Sequence, residues 1–148
     1  MASRIAPLLI ALSLVLGAGA HAQESASRLI VTVVTRNDTG NVFCAIWRGR
    51  EGFPMQRERA VGHVRDGTIV SGRARCVFEG LAPGEYAIAA FHDENANGDL
   101  DRGLFGIPTE GTGASNDARG VMAPPPYDGA RFQLTDAAVQ RLTIHISY

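Results

Sequence analysis

The residues best suited to chemistry in this 148-residue chain lie in one short acidic segment. Side chains with oxygen atoms stand at every second position there: Asp93, Asn95 and Asn97. Gly98 follows, and the carboxylates of Asp99 and Asp101 come next. This order matches the first two-thirds of a D-x-[DN]-x-[DN]-G calcium loop. Calcium takes about six to eight oxygen ligands, and the glycine permits the sharp bend between them. The segment therefore predicts a calcium site, to which Asp99 contributes its backbone carbonyl.

The match to a calcium loop ends before its last position. A complete twelve-residue loop closes with a bidentate Glu, but the twelfth residue here is Leu104. Glu110 or Asp117 supplies the missing ligand if the following chain folds back; otherwise water molecules supply it. Because the loop lacks one ligand, we expect a weak calcium site with a Kd of about 10⁻⁴–10⁻³ M. The competing interpretation is a polar turn, in which Asn and Asp side chains cap backbone amides without an ion.

The first 22 residues have the features of a secretory signal. Arg4 precedes an apolar run over residues 5–16, and Ala20-His21-Ala22 matches a small-x-small cleavage site. The apolar run is too short to span a membrane. We therefore expect an exported protein, periplasmic or secreted, whose mature chain 23–148 forms a single domain without a membrane span.

The charge balance and the two cysteines narrow the class of protein. Loss of Arg4 leaves 13 cationic against 15 acidic side chains, a net charge of −2. A near-neutral balance argues against nucleic acid or an anionic membrane surface as partner, since both need a basic patch. In an exported chain, the even pair Cys44 and Cys76 predicts a disulfide, with two buried free thiols as the alternative.

Apolar and polar residues alternate with a period of two through most of the mature chain. The pattern predicts about seven short strands in an all-β sandwich, at residues 28–35, 42–47, 63–66, 68–71, 75–79, 86–91, 130–134 and 142–147. Asp66-Gly67 predicts a hairpin, and the strand at 130–134 is expected to pair with the last one. A turn or two of helix is expected only within 52–60. Residues 92–129 form a long loop, whose apolar side chains indicate a structured loop over one end of the sandwich.

Two further groups of residues predict a binding surface. Asn116 and Asp117 with Tyr127 combine polar side chains with an aromatic ring, which suits carbohydrate. Trp47 lies on the face of its strand opposite Cys44. It is therefore either covered by the long loop or exposed as an interface with another protein.

Several motifs together resemble a known bacterial family. They are LAPGEYAI at 81–88, FHDENANG at 91–98, GIPTEG at 106–111 and EGFP at 51–54. The chain is similar in these motifs to the domain-of-unknown-function family 2141, over essentially the whole mature region. Ala96 departs from the glycine that family members often have. The resemblance implies a small exported protein with a prealbumin-like or Ig-like β-sandwich and no established activity.

These observations predict an exported binding or structural module of the bacterial envelope that is not an enzyme. Its expected partner is a polysaccharide or an envelope protein, and calcium is its only expected cofactor. The alternative is an enzyme that acts on a glycan or small substrate through Asp93, Glu94, Asp101 or Glu110. An enzyme would need opposed carboxylates with at least one displaced pKa, and we assign no catalytic residue.

Overall fold

The computed structural model describes residues 27–148, so the predicted signal segment lies outside the described residues. Eight strands make up most of this part: β1 (Arg28–Val34), β2 (Asn41–Arg48), β3 (Gly62–Asp66), β4 (Arg73–Glu79), β5 (Gly84–Asp93), β6 (Gly111–Ala114), β7 (Phe132–Leu134) and β8 (Val139–His145). One helical turn, α1 (Tyr127–Ala130), and 3-10 turns at Arg57–Arg59, Leu104–Gly106 and Ser115–Asp117 complete the elements. Within the described residues, no helix is long and apolar enough to cross a membrane.

The strands form two facing sheets. The smaller sheet has the order β4-β1-β8, with β1 antiparallel to β4 and parallel to β8. The larger sheet has the order β3-β2-β5-β6, and β7 also pairs with β5. The prediction of an all-β sandwich is therefore confirmed, but residues 68–71 form no strand and the predicted long loop 92–129 contains β6.

The core lies between the sheets, as the period of two requires. Leu29, Val31 and Val33 point inward from β1 and are fully buried, while Ile46 and Ile88 meet them from the larger sheet. Such side chains each contribute about 1.5–3 kcal/mol on burial. Alternate residues of the same strands face outward, so the sequence pattern determines which face each strand buries.

Cys44 and Cys76 form a disulfide between the two sheets. Cys44 lies on β2 and Cys76 on β4, with 6.4 Å between their Cα atoms and a sequence separation of 32. Both side chains are buried in the core. The predicted disulfide is present and ties the larger sheet to the smaller one.

The prediction of a hairpin at Asp66-Gly67 is wrong. β3 pairs with β2 in the larger sheet, whereas β4 pairs with β1 in the smaller one, so the chain crosses between sheets here. The Asp66 carboxylate accepts hydrogen bonds from the backbone N–H groups of Thr68 (2.9 Å) and Arg75 (2.6 Å). The side chain thus stabilises a crossing where the dipeptide alone favours a tight turn.

The pairing predicted between the last two strands is also wrong. β7 pairs with β5, and β8 pairs in parallel with β1. β5 has ten residues, so its second edge accommodates both β6, which pairs with 89–92, and β7, which pairs with 84–86. Alternation along β8 identifies its buried face, but it does not identify its neighbour.

Trp47 is covered from within the domain. It lies on the outer face of the larger sheet, where its ring meets Phe53 edge-on at 5.3 Å between centroids. Its indole N–H donates to the Gln56 carbonyl at 3.2 Å, and Tyr127 of α1 packs behind Phe53 at 5.8 Å. Only 1% of Trp47 is exposed, so this end of the outer face is a second, smaller core.

Candidate functional site

The acidic loop begins at the last residue of β5. Asp93 is fully buried, and its Oδ1 accepts from the Asn97 N–H at 3.1 Å while Oδ2 accepts from the Gly98 N–H at 2.8 Å. The first of the predicted calcium ligands therefore fastens the loop backbone. Carboxylate acceptors bind backbone amides more strongly than neutral ones do, so this contact determines the shape of the whole loop.

The turn between β1 and β2 holds the start of the acidic loop in place. Gly40 has φ +73°, and a Cβ on it would lie 1.9 Å from the Asp93 carbonyl oxygen, so only glycine fits. Beside it, the buried His92 has Nε2 2.6 Å from the Thr39 carbonyl and Nδ1 2.6 Å from the Tyr148 hydroxyl. Because a carbonyl can only accept, Nε2 carries the proton and the hydroxyl donates to Nδ1.

Three predicted ligands converge further along the loop. The Asn95 amide donates to Asp101 Oδ2 at 2.6 Å, and the Asn97 amide donates to Asp101 Oδ1 at 3.0 Å. The chain also folds back as expected, since the buried Glu110 accepts from the Asp101 N–H at 3.1 Å. Asp99 is exposed to solvent. The side-chain amide hydrogen atoms of Asn95 and Asn97 face Asp101 in this arrangement.

Glu94 takes part in an ion pair at the edge of the loop. Arg36 donates from Nε to Oε1 at 3.0 Å and from Nη2 to Oε2 at 2.5 Å, and the Asn37 amide adds a third bond at 2.6 Å. The hydrogen bonds from Arg36 are the main reason why the pKa of Glu94 is lowered. Glu94 is therefore ionised at neutral pH and held in a fixed position.

The predicted calcium site stays a prediction. In residues 27–148, no three His, Cys, Asp or Glu side chains are grouped as a metal site. Calcium binding would therefore depend on Asn and backbone oxygens beside Asp101. It would also require the side-chain amides of Asn95 and Asn97 to flip, so that their oxygen atoms face the ion. The hydrogen-bonded polar turn needs no such change.

The other predicted binding residues contact neighbouring elements. The Asn116 amide donates to the carbonyls of Gly129 (3.2 Å) and Arg131 (2.8 Å). Asp117 accepts from the His145 N–H at 2.8 Å and pairs with its ring at 2.7 Å. Burial opposes ionisation of Asp117, but the bonds from His145 outweigh it and lower the pKa. Tyr127 donates to Glu85 at 3.0 Å. Their role in ligand binding stays a prediction.

Sequence reasoning missed a groove on the outer face of the larger sheet. Its volume is about 980 Å³, and its floor consists of β2, β5 and β6 side chains: Phe43, Ala45, Ala89, Phe91 and Thr112. Residues from the segments 54–57, 99–110 and 117–125 contribute its walls. We call this feature the outer groove. It adjoins the acidic loop, because Asp99 and Leu100 belong to both.

Aromatic rings and a guanidinium mark one part of the floor. Phe43 and Phe91 are a cross-strand pair whose rings stack at 4.9 Å with an interplanar angle of 8°. The Arg57 Cζ lies 5.7 Å from the Phe43 centroid and 5.3 Å from the Phe91 centroid. This is the geometry of a cation–π contact, and it places a positive charge directly over an apolar surface.

The walls expose large apolar side chains to solvent. Phe105 is 97% exposed, Met122 99% and Ile107 59%, and all three line the outer groove. Single exposed apolar residues are ordinary, but a cluster beside an apolar floor is typical of a binding site. The only sequence signal was the outward position of Phe43, because the pairing with Phe91 is a long-range contact.

Fold and site together define a small two-sheet β-sandwich that carries an open groove on its larger sheet. Residues 31–141 match the model of a family described as an uncharacterized protein conserved in bacteria, DUF2141. The chain belongs to this family, as its motifs indicated. No curated protein and no solved structure matches it.

Proposed function

We propose that this protein is an exported binding module of the bacterial envelope and that the outer groove is its ligand site. The observation that carries the proposal is an apolar floor flanked by exposed apolar side chains in one concavity. At about 980 Å³, the groove lies near the upper end of the ~300–1,000 Å³ range of small-molecule sites. The ligand is therefore a small molecule with an apolar body.

The disulfide and the loop carboxylates support this reading. Disulfides persist mainly in oxidising compartments, which agrees with export. The carboxylates of Asp93, Asp101 and Glu110 all accept hydrogen bonds from within the loop. The lowered pKa of Glu94 is the opposite of what a general acid needs. These features favour binding over the alternative of acid–base catalysis.

The predicted polysaccharide or protein partner would contact polar residues such as Asn116 and Asp117. Both already form hydrogen bonds to neighbouring elements of the domain. Large exposed side chains on the walls of the groove include the apolar Phe105, Ile107 and Met122. An apolar ligand therefore fits the free surface better than a sugar does.

A neutral fluorescent probe tests the proposed site. We expect N-phenyl-1-naphthylamine to bind the native protein with a rise in fluorescence. Ala89→Phe adds a phenyl ring to the half-exposed centre of the floor, so it should weaken binding about tenfold or more by occupying the space the ligand needs. The measurement is a fluorescence titration well below the melting midpoint.

Thr143→Phe is the matched control. Thr143 is exposed on the outer face of the smaller sheet, so the same ring is added away from the outer groove. Thermal melts establish that both variants fold. Binding that is undetectable in wild type, or equal in all three proteins, would count against the groove as the ligand site.

We also propose that the acidic loop binds calcium weakly, because the side chains of Asn95, Asn97 and Asp101 converge there. At 10 mM, which is about 10–100 times the expected Kd, calcium should add roughly 1.4–2.7 kcal/mol of stability. The melting midpoint should then rise by about 4–12 °C relative to chelator. Magnesium, which demands a tighter octahedral shell, is the control. Equal midpoints in calcium and chelator would establish the polar turn instead.

A further inference from the structure

We infer that the outer groove binds a free amphiphile whose anionic head group pairs with Arg57. The inference rests on the proposed function and adds the chemical class of the ligand. It starts from the position of Arg57, a solvent-exposed residue of the 3-10 turn Arg57–Arg59, whose guanidinium lies over the stacked rings of Phe43 and Phe91.

Arg57 differs from the other arginines around the groove. Arg65, which also approaches Phe43, donates to Asn41 Oδ1 at 2.9 Å. Arg102 donates to the Gly106 carbonyl at 2.9 Å, and Arg119 donates to Ser147 Oγ at 2.9 Å. Within residues 27–148, the Arg57 guanidinium forms no ion pair and no hydrogen bond. It makes cation–π contacts with the rings of Phe43 and Phe91. Its N–H donors are therefore available to a ligand.

Among the described residues, no acidic side chain of the groove forms an ion pair with Arg57. Glu110 accepts from the backbone N–H groups of Glu94 (3.0 Å) and Asp101 (3.1 Å), and Asp117 pairs with His145. Asp99, the third carboxylate along the walls, is exposed to solvent. Arg57 thus lies over the apolar floor without forming an ion pair to any of these three carboxylates, and the complementary ligand has an anionic group at one end of an apolar body.

The contacts with the rings also prepare Arg57 for its partner. Its N–H groups form no hydrogen bond to the described residues, and the planar fork of a guanidinium matches the two oxygens of a carboxylate, sulfonate or phosphate. Part of the side-chain entropy is already lost to the ring contacts, so less is lost on binding. The rings meanwhile offer apolar surface directly beneath the head group.

The shape of the site favours a free molecule over the head group of a lipid in a bilayer. The floor is recessed between the wall segments 54–57 and 99–110, so an apolar tail can lie along the sheet. A membrane surface would have to meet a protruding basic patch, whereas Arg57 lies over the floor of a concavity. The groove therefore fits a ligand that enters it whole.

Two probes that differ by one charge test the inference. 8-Anilino-1-naphthalenesulfonate has the ring system of N-phenyl-1-naphthylamine and an added sulfonate. We expect Arg57→Gln to weaken binding of the sulfonate probe about 5–10-fold, because it removes a charge-assisted contact. Binding of the neutral probe should change less than about twofold. Added salt should weaken only the sulfonate probe, and only in the wild type.

Two charge controls accompany this experiment. Arg75→Gln removes the same charge from the outer face of β4, and we expect it to leave both probes unaffected. Arg57→Lys keeps the charge but not the planar fork, so it should retain most of the affinity for the sulfonate probe.

The outcomes separate the inference from the proposed function. If the neutral probe binds and Arg57→Gln changes both probes equally or neither, the inference is overturned while the groove remains a ligand site. If neither probe binds the wild type, both fail. Sedimentation with phosphatidylglycerol vesicles that depends on Arg57 would assign the contact to a lipid surface and overturn a free ligand.

Discussion

Removal of the Cys44–Cys76 disulfide should lower the free energy of unfolding by roughly 3.5–4 kcal/mol. The bond closes a loop across 32 residues, and the chain-entropy relation gives this magnitude for a loop of that length. It also joins β2 of the larger sheet to β4 of the smaller one. Without it, the unfolded chain gains freedom and the two sheets lose their covalent cross-link.

The double variant Cys44→Ala, Cys76→Ala measures this effect in a thermal melt. For a domain of this size, we expect the midpoint to fall by about 10–25 °C. Reduced wild type is the control, because it loses the bond while keeping both sulfur atoms in the core. Oxidised and reduced protein that melt within about 3 °C of each other would contradict a structural role for the bond.

Asp93→Ala should destabilise the protein by about 2–5 kcal/mol in chelator. The buried carboxylate is the acceptor for the N–H groups of Asn97 and Gly98. A hydrogen bond to a charged group contributes roughly 1.5–3 kcal/mol, and the substitution removes two of them, although the Asn97 N–H keeps a second acceptor in Asn95 Oδ1 (3.0 Å). Since no ion is needed for these bonds, the loss should appear without calcium. Melts of wild type and variant in chelator give the difference.

Asp99→Ala is the matched control for the same loop. Asp99 is exposed, and exposed substitutions away from such contacts usually change stability by less than about 0.5 kcal/mol. Asp93→Ala and Asp99→Ala melting at the same temperature would mean that the bonds of Asp93 do not hold the loop. A loss with Asp93→Ala that appears only in calcium would instead make Asp93 primarily a ligand.

The sequence predicts the faces of the strands better than their partners. The inward positions of Leu29, Val31 and Val33 and the pairing of Cys44 with Cys76 follow from period and composition. The parallel pairing of β8 with β1 does not, because alternation gives the buried face of a strand but carries no information on which edge it joins. The wrong prediction of a hairpin at Asp66 has a similar cause. The Asp66 carboxylate accepts hydrogen bonds where the chain passes from one sheet to the other, and the residue types of the turn do not show that passage.

The candidate site, too, is predictable from the sequence only in part. The residues of the acidic loop are predictable from local spacing, but spacing does not decide whether Glu110 or Asp117 returns to it. The direction of each oxygen depends on backbone torsions, such as φ +58° at Ala96, that residue types alone do not specify. The outer groove depends on Phe43 meeting Phe91 across two strands and on Arg57 from a third segment. Contacts of that kind arise only when the chain has folded.

The outer groove as ligand site is tested most directly by mapping the bound probe on the native protein. A titration of ¹⁵N-labelled mature protein with 8-anilino-1-naphthalenesulfonate, followed by amide chemical shifts, reports which residues it contacts. We expect the largest changes at Phe43, Ala89, Phe91 and Arg57, with β4 and the outer face of β1 unchanged. Changes centred on the smaller sheet, or spread evenly over the domain, would contradict the outer groove as the place where this protein binds its ligand.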